Sequence, residues 1–118
     1  MTVFDRPKPE LSADVLASLL RTHYGLDGTL SPLVSERDQN ARVRTASGVF
    51  VLKIANAGED RGVLRFQTAL LKHVAHVDHD LGVPHLLPTL SGADEAEHVE
   101  GDGTHAVRLF SFLPDRKS

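Results

Sequence analysis

Residues 49–54 read Val49-Phe50-Val51-Leu52-Lys53-Ile54 and follow a turn signal at Ser47-Gly48. β-Branched and aromatic residues dominate this run, so it predicts a β-strand that carries a lysine near its end. An unpaired ammonium group is costly to bury, and a lysine in this setting therefore needs an anionic partner. We expect Lys53 to meet an anion that is supplied either by the protein or by a ligand.

The segments before this strand alternate between helical and strand patterns. Ser12 is a suitable amino-terminal cap for a helix over residues 13–24, which Gly25 would end. Short β-rich runs at residues 29–34 and 41–45 then predict further strands. The sequence therefore predicts an antiparallel group of strands that follows the first helix and includes the lysine strand.

The segments after the strand predict a second helix and further strands. The helix is expected to begin at Glu59 or Asp60 and to end at about Val77. Its apolar residues recur at helical spacing and are expected to face the sheet: Val63, Phe66, Leu70, Leu71, Val74 and Val77. Beyond Pro84, strands are predicted at residues 86–90, 97–100 and 104–112, with a hairpin turn at Gly101-Asp102-Gly103. The order predicts one α+β domain over residues 1–118, with an antiparallel sheet of about five strands and two helices.

Composition narrows the class of protein. The 118 residues are 41% hydrophobic and 25% charged, which suits one globular domain and argues against a disordered chain. No apolar run approaches the ~20 residues of a membrane helix, and residues 1–7 do not resemble a signal peptide. The chain has no cysteine and a formal net charge of -3. We therefore expect a cytoplasmic location, with neither nucleic acid nor membrane as a partner.

The element order, with a lysine at the end of the third strand and a helix directly after it, resembles the amino-terminal lobe of the protein-kinase-like fold. The group it resembles most is that of the aminoglycoside phosphotransferase and choline kinase-like small-molecule kinases. Four segments carry the likeness: Ser35-Glu36-Arg37-Asp38-Gln39-Asn40, Phe50-Val51-Leu52-Lys53, the helix around Gln67, and Val107-Arg108-Leu109-Phe110-Ser111-Phe112-Leu113-Pro114. The first segment looks most like the hydroxylysine kinase-like branch, whose members also occur fused to aminotransferase domains.

This resemblance implies a nucleotide partner, ATP, on one face of the strand. Val51 and Lys53 share a face because alternate residues of a strand point to the same side. By resemblance, Val51 would contact the adenine and Lys53 the phosphates. Ser35, Gln39 and Asn40 would offer hydrogen-bond donors from a glycine-poor phosphate loop. The alternatives are a lysine that extends from a strand end into water and a plain polar turn.

The second helix and the last strand supply the remaining predicted contacts. Gln67 lies within the apolar stripe and is expected to face the sheet, where most kinases have a glutamate that pairs with the strand lysine. A glutamine offers only a neutral hydrogen bond there, and bonding to nearby backbone is an equally good interpretation. The last strand resembles the kinase hinge, with Ser111 and Leu113 binding the adenine edge through their backbone. A plain core strand fits its alternation equally well.

No catalytic residue is predicted in this lobe. In the family, the catalytic aspartate and most ligands of Mg²⁺ lie in a carboxy-terminal lobe, which we expect to be absent from these 118 residues. The resemblance therefore implies the ATP-binding lobe of a phosphotransferase, which we do not expect to be catalytic alone. The parent enzyme would phosphorylate a hydroxyl of a small amine-bearing metabolite. Its other partners would be the carboxy-terminal lobe or a fused aminotransferase domain.

Two alternatives belong to other classes of function. His73, His76 and His79 are spaced as on a helix, but successive steps of three drift around it, which favours a solvated helix end over a metal site. No metal ligand is therefore predicted. The second alternative is a non-catalytic interaction domain that forms a homodimer through an exposed cleft side. That cleft side would comprise Val51, Leu109, Phe110 and Phe112.

Overall fold

The computed structural model describes residues 8–77, 84–101 and 103–111, and it has two helices and six strands in those ranges. The helices are α1 (Ala13–Tyr24) and α2 (Arg61–Val77). The strands are β1 (Thr29–Leu33), β2 (Gln39–Thr45), β3 (Gly48–Ile54), β4 (Leu86–Leu87), β5 (Ala96–Glu100) and β6 (Gly103–Ser111). The predicted α+β architecture is confirmed, and each of the six predicted strand segments corresponds to one strand of the sheet. β2 begins two residues earlier than expected, and β4 is shorter than its predicted segment.

Helix α1 is bounded by the residues that its sequence predicts. The Ser12 hydroxyl accepts a hydrogen bond from the Val15 amide at 3.2 Å, which satisfies one of the free donors at the start of the helix. Gly25 ends the helix in the left-handed region, with φ of 67°, and its amide donates to the carbonyl of Arg21. Both ends are therefore fixed by local chemistry.

The strands form one antiparallel sheet in the order β1-β2-β3-β6-β4, and β5 also pairs with β6. β1, β2 and β3 follow one another along the chain, whereas β6 returns to pair with β3. β5 and β4 lie one after the other along the outer edge of β6, opposite residues 103–107 and 109–110 respectively. β6 is thus the strand that joins the two halves of the sheet.

The main core lies on one face of the sheet, beneath α1. Leu52 and Leu109 face each other across β3 and β6, as do Ile54 and Val107, and all four are fully buried. They join the buried side of α1 in one cluster that includes Leu16, Leu19, Leu20 and Tyr24. Because side chains alternate along a strand, Val51 and Lys53 must lie on the opposite face.

Helix α2 covers that opposite face, but through different residues from those predicted. The buried side chains of α2 are Leu64 and Thr68, each 3% exposed, whereas Phe66 is 68% exposed and Leu70 51%. Val63 and Val77 are exposed as well. The prediction of a stripe facing the sheet was therefore wrong for four of its six residues: Val63, Phe66, Leu70 and Val77.

The small residues of the sheet explain this orientation of α2. Leu64 packs against two small residues, Ala55 directly after β3 and Ala106 of β6, which are joined by a hydrogen bond from the Ala55 amide to the Ala106 carbonyl. The carboxylate of Asp60 caps the helix by accepting from the amides of Gly62 and Val63. Apolar periodicity alone could not identify this contact, since only two side chains of α2, Leu64 and Thr68, are buried. Within the described ranges, neither helix has the length and apolar character to cross a membrane.

Candidate functional site

A cavity of about 430 Å³ opens between α2 and the face of the sheet that carries Lys53. Its lining comes from β3, β6, α2 and the segment before β4: Val51, Lys53, Gln67, Leu71, Pro84, Arg108, Phe110 and Ser111. This volume lies within the roughly 300–1,000 Å³ typical of pockets for small organic ligands. The cavity therefore places the predicted lysine in a space that a small molecule can occupy.

The floor of the cavity consists of two cross-strand pairs. Val51 lies directly opposite Phe110, and Lys53 lies directly opposite Arg108. Directly opposed residues of an antiparallel pair project to the same face of the sheet, so each pair presents both of its side chains to the cavity. One half of the floor is thus apolar and the other half is cationic.

Lys53 is half-buried and has no carboxylate partner in the described part of the protein. Its Nζ donates to Oδ1 of Asn40 at 3.5 Å, across the β2–β3 ladder. Burial lowers the pKa of Lys53, the nearby Arg108 lowers it further, and Asp38 acts in the opposite direction. The described residues therefore offer the ammonium group one neutral acceptor and no ion pair.

Arg108 is a charged residue of this site that the sequence analysis did not identify. It is only 4% exposed, its Nη1 donates to the Thr68 hydroxyl of α2 at 3.2 Å, and its guanidinium lies 5.4 Å from the ring centre of Phe110. Its Nε is buried without a hydrogen-bond partner in the described structure. Burial lowers the pKa of Arg108, while Glu95, Asp38 and Glu59 raise it in that order. The one available signal was a cation within an apolar strand, the same signal that identified Lys53.

The loop that precedes β2 is anchored by Asn56, which follows β3 and is 2% exposed. The Asn56 amide donates to the carboxylate of Asp38, and its side chain donates to the carbonyl of Arg37, both at 3.0 Å. The side-chain oxygen of Asn56 also accepts from the Gly58 amide at 2.8 Å. Arg37 forms an ion pair with Glu59 at 3.0 Å. The loop is thus fixed to the connection between β3 and α2, and the charge of Arg37 is paired.

The three residues predicted to form the phosphate loop, Ser35, Gln39 and Asn40, lie in different surroundings in the structure. Asn40 meets Lys53, as described above, and Ser35 is half-buried in the loop. Gln39 lies on the other face of β2, where Oε1 of its side chain accepts from the Leu11 amide at 2.7 Å and Nε2 donates to the Leu11 carbonyl at 3.0 Å. Neighbouring strand residues point to opposite faces, so the geometry that brings Asn40 to Lys53 turns Gln39 away from the cavity.

Gln67 lines the cavity from α2, but it does not face the sheet. Its side chain is exposed, and within the described residues it forms no hydrogen bond with Lys53. The next residue, Thr68, takes the position facing the sheet and bonds to Arg108. Successive helix residues are about 100° apart, so this places Gln67 at the rim. The expectation that Gln67 is directed at the sheet was therefore wrong.

The backbone amide of Ser111, at the end of β6, is used within the sheet. It donates to the carbonyl of His85 at 2.9 Å, and the Ser111 hydroxyl accepts from the His85 amide at 2.9 Å. The hinge prediction for Ser111 therefore depends on its carbonyl oxygen. Leu113, the other predicted hinge contact, and Phe112 lie outside the described residues.

No group of three or more His, Asp or Glu side chains in the described ranges is arranged to hold a metal ion. His73 and His76 are exposed on α2, and His79 lies outside those ranges. The metal alternative therefore gains no support from α2.

Comparisons with known proteins identify the fold. No protein-family model matches the chain, and no curated protein does. Among solved structures, a microcompartment-associated aminopropanol kinase is similar over 86% of this chain, with a TM-score of 0.70 and 16% identity. A spectinomycin phosphotransferase, solved with ADP and spectinomycin, is similar over 89% of it, with a TM-score of 0.63 and 14% identity.

The match covers 32% of the aminopropanol kinase and 30% of the spectinomycin phosphotransferase, so the chain spans about a third of the length of these proteins. At this level of identity the likeness shows the fold and not the activity. The chain has the fold of a kinase-like amino-terminal lobe of the aminoglycoside phosphotransferase type. The hydroxylysine kinase-like assignment stays a prediction.

Proposed function

We propose that this chain is the ATP-binding lobe of a small-molecule kinase, with the nucleotide held in the cavity between α2 and the sheet. The observation that carries the proposal is the setting of Lys53. Its ammonium group is half-buried at a cavity, beside apolar side chains, and has no carboxylate partner in the described part of the chain. A partly buried ammonium group that lacks an internal counter-ion is best explained by an anionic ligand.

The two halves of the cavity floor match the two halves of a nucleotide. Val51 and Phe110 offer an apolar surface suited to a flat base, and the carbonyl of Ser111 lies at the same end of β6. Lys53 offers a charge suited to phosphate oxygens, and Asn40 supports its ammonium from β2. The unsatisfied Nε of Arg108 also fits an anionic group. These residues together fit ATP better than they fit a neutral metabolite.

In this proposal the lobe binds and orients ATP but does not complete phosphoryl transfer. ATP supplies the phosphoryl group when it is bound, and Lys53 fixes the position of its phosphates. We assign no proton acceptor and no magnesium ligand to the described residues. These roles, and selection of the acceptor, would belong to a carboxy-terminal lobe. A small amine-bearing alcohol is the proposed acceptor class, and the similarity to an aminopropanol kinase supports it.

An amide-resolved NMR titration with ATP and magnesium tests the proposal. We expect saturable shifts confined to residues 38–40, 51–53 and 108–111, which Lys53→Ala abolishes. Lys72→Ala is the matched control, because Lys72 is an exposed lysine of α2 that pairs with Asp94 at 3.0 Å, away from the cavity lining. The control variant should titrate like the natural chain. No saturable shift at millimolar ATP would refute the proposal.

The alternative of a dimerising interaction domain loses much of its predicted surface. Leu109 is fully buried on the other face of the sheet, and Phe110 is 4% exposed. Val51 is half-buried and Phe112 lies outside the described residues. Among the described residues of the cleft side, Val51 is the most accessible, and sedimentation of the purified chain is the measurement that tests self-association.

A further inference from the structure

We propose that Arg108 is a second anion-binding residue of this cavity and that, together with Lys53, it holds one phosphate group. The inference rests on the proposed function only for the identity of the ligand as a nucleotide. The group that Lys53 and Arg108 would bind is a phosphoryl oxyanion, and either ATP or a free polyphosphate can supply it.

The register of the sheet brings the two cations together. Lys53 and Arg108 are directly opposed on β3 and β6 and project into the same cavity. Like charges at directly opposed positions repel each other, and partial burial strengthens that repulsion. The other residues of the lining carry no charge. An anion placed between the two cations would relieve their repulsion.

The acidic residues whose charge raises the pKa of Lys53 or Arg108 are already engaged with other groups. Asp38 accepts from the backbone amide of Asn56 at 3.0 Å. Glu59 pairs with Arg37 at 3.0 Å, and Glu95 pairs with Arg61 at 2.9 Å. None of the three forms an ion pair with Lys53 or Arg108 within the described ranges. The described residues thus supply a negative potential that acts on these cations but no direct counter-ion.

The guanidinium of Arg108 retains an unused donor. Nη1 is taken by Thr68, whereas Nε is buried without a partner in the described structure. The edge formed by Nε and Nη2 is the one that binds oxyanions through two parallel hydrogen bonds. A buried donor without an acceptor is costly, so a ligand oxygen that accepted a hydrogen bond from Nε would satisfy it.

The position of Gln67 agrees with this assignment. A glutamate that reached into the cavity from α2 would compete with a ligand for both cations. A neutral side chain at the rim leaves both positive charges to the ligand.

A purely structural role for Arg108 makes a different prediction. In that case Arg108 only ties α2 to β6 through Thr68, and removal of the Thr68 hydroxyl should have the same effect as removal of the guanidinium. Thr68→Val is therefore the control variant, because it breaks the tie and leaves the charge in place.

The test measures the affinity of ATP, adenosine and inorganic tripolyphosphate for the natural chain, Arg108→Met, Lys53→Met and Thr68→Val by NMR titration. We expect Arg108→Met to weaken ATP and tripolyphosphate binding by about tenfold or more and to change adenosine binding less than about twofold. Thr68→Val should retain most of the tripolyphosphate affinity. The double variant of Lys53 and Arg108 should lose less than the product of the two single losses, since both residues act on one anion.

A second substitution covers the case in which Arg108→Met does not fold. Arg108→Lys keeps the charge and most of the volume but cannot form two parallel bonds, and it should weaken tripolyphosphate binding several-fold. Unchanged tripolyphosphate affinity in Arg108→Lys would overturn the inference when the methionine variant is unfolded.

The other outcomes separate this inference from the proposed function. If ATP binds and depends on Lys53 but not on Arg108, the inference is overturned and the proposed function stands. Equal losses of tripolyphosphate affinity in Thr68→Val and Arg108→Met also overturn the inference. Arg108 would then act only by joining α2 to β6 through Thr68. If tripolyphosphate binds through Arg108 while the base produces no shifts at Val51 and Phe110, the inference stands and the nucleotide assignment fails. Binding of neither ligand overturns both.

Discussion

The side-chain amide of Gln39 forms two hydrogen bonds with the backbone of Leu11, although the two residues are 28 positions apart in the chain. Gln39 accepts from the Leu11 amide and donates to the Leu11 carbonyl. The Gln39 side chain thus pairs with both backbone groups of Leu11, as a neighbouring strand would, in the segment before α1. The consequence is that the entry to α1 is tied to the start of β2, on the face opposite the cavity.

Replacement of Gln39 by leucine should therefore affect stability and not ligand binding. The change leaves an amide and a carbonyl of Leu11 unpaired in a part-buried position, which lowers the free energy of unfolding by about 1–3 kcal/mol. Urea denaturation followed by far-ultraviolet circular dichroism measures the loss. Gln39→Glu keeps the acceptor but removes the donor, and should lose part of this amount. Loss of ATP binding at unchanged stability would instead place Gln39 in the nucleotide site.

Replacement of Asn40 by aspartate should convert the neutral acceptor of Lys53 into a counter-ion. A carboxylate beside the ammonium favours the charged form, so the lowered pKa of Lys53 should rise. The same carboxylate repels phosphate, and we expect ATP affinity to fall by about tenfold. Titration of the Lys53 side chain by NMR reports the pKa. Asn40→Ala is the control, since it removes the acceptor without adding charge, and an equal effect of both substitutions on the Lys53 pKa would contradict this account.

Replacement of Gly28 by alanine should destabilise the start of β1. A Cβ at this position would lie 2.5 Å from the carbonyl oxygen of Arg44 and 2.9 Å from Cγ2 of Thr45, so the backbone of β2 would have to move. We expect a loss of about 2–3 kcal/mol in thermal or urea unfolding. Gly25→Ala is the comparison: its φ of 67° disfavours a side chain, but its nearest neighbour is Leu90 at 3.5 Å. That substitution should cost only about 1 kcal/mol, and the reverse order of the two losses would show that contact at Gly28 is not limiting.

Stability should fall above pH 10 because of Tyr24. Burial raises the pKa of Tyr24 from 10.0 to about 12, Glu95 adds to this effect, and Arg108 opposes it. The neutral phenol is therefore favoured in the folded state, so its contribution is fully present below the ordinary pKa and is lost as the pH rises towards about 12.

Tyr24 is the single tyrosine of the chain, and there is no tryptophan, so ultraviolet absorbance of the tyrosinate follows this group alone. Tyr24→Phe should remove the part of the fall in stability above pH 10 that comes from this phenol. A spectroscopic titration of the folded chain at the ordinary tyrosine pKa would contradict the burial argument.

Local signals predicted the elements of this fold well. The bounds of α1 follow from Ser12 and Gly25, which act on the backbone next to them in the chain. The alternation in β3 also predicted that Val51 and Lys53 would share a face, because that relationship depends only on strand geometry. Structural features that depend only on residues close together in the chain could be predicted from the sequence alone.

Features that depend on distant pairing could not be predicted in the same way. The role of Arg108 arises from its register with Lys53, which is 55 residues earlier, and no local pattern specifies that register. The orientation of Gln67 depends on the small side chains Ala55 and Ala106 beneath α2. Gln39 was predicted to be a donor of the phosphate loop because the start of β2 was placed at residue 41 and not at residue 39.

The position of β6 has a consequence for synthesis of the protein. β6 pairs with β3, β4 and β5 and contributes to both faces of the sheet, yet it is the last strand of the described chain to leave the ribosome. Until it does, the nascent β1–β2–β3 meander has an unpaired β3 edge that carries Val51 and Leu52. Interrupted translation before residue 103 would therefore release a fragment that is prone to aggregation. β6 therefore completes the cavity and also protects the folding chain from aggregation, because it covers the edge of β3.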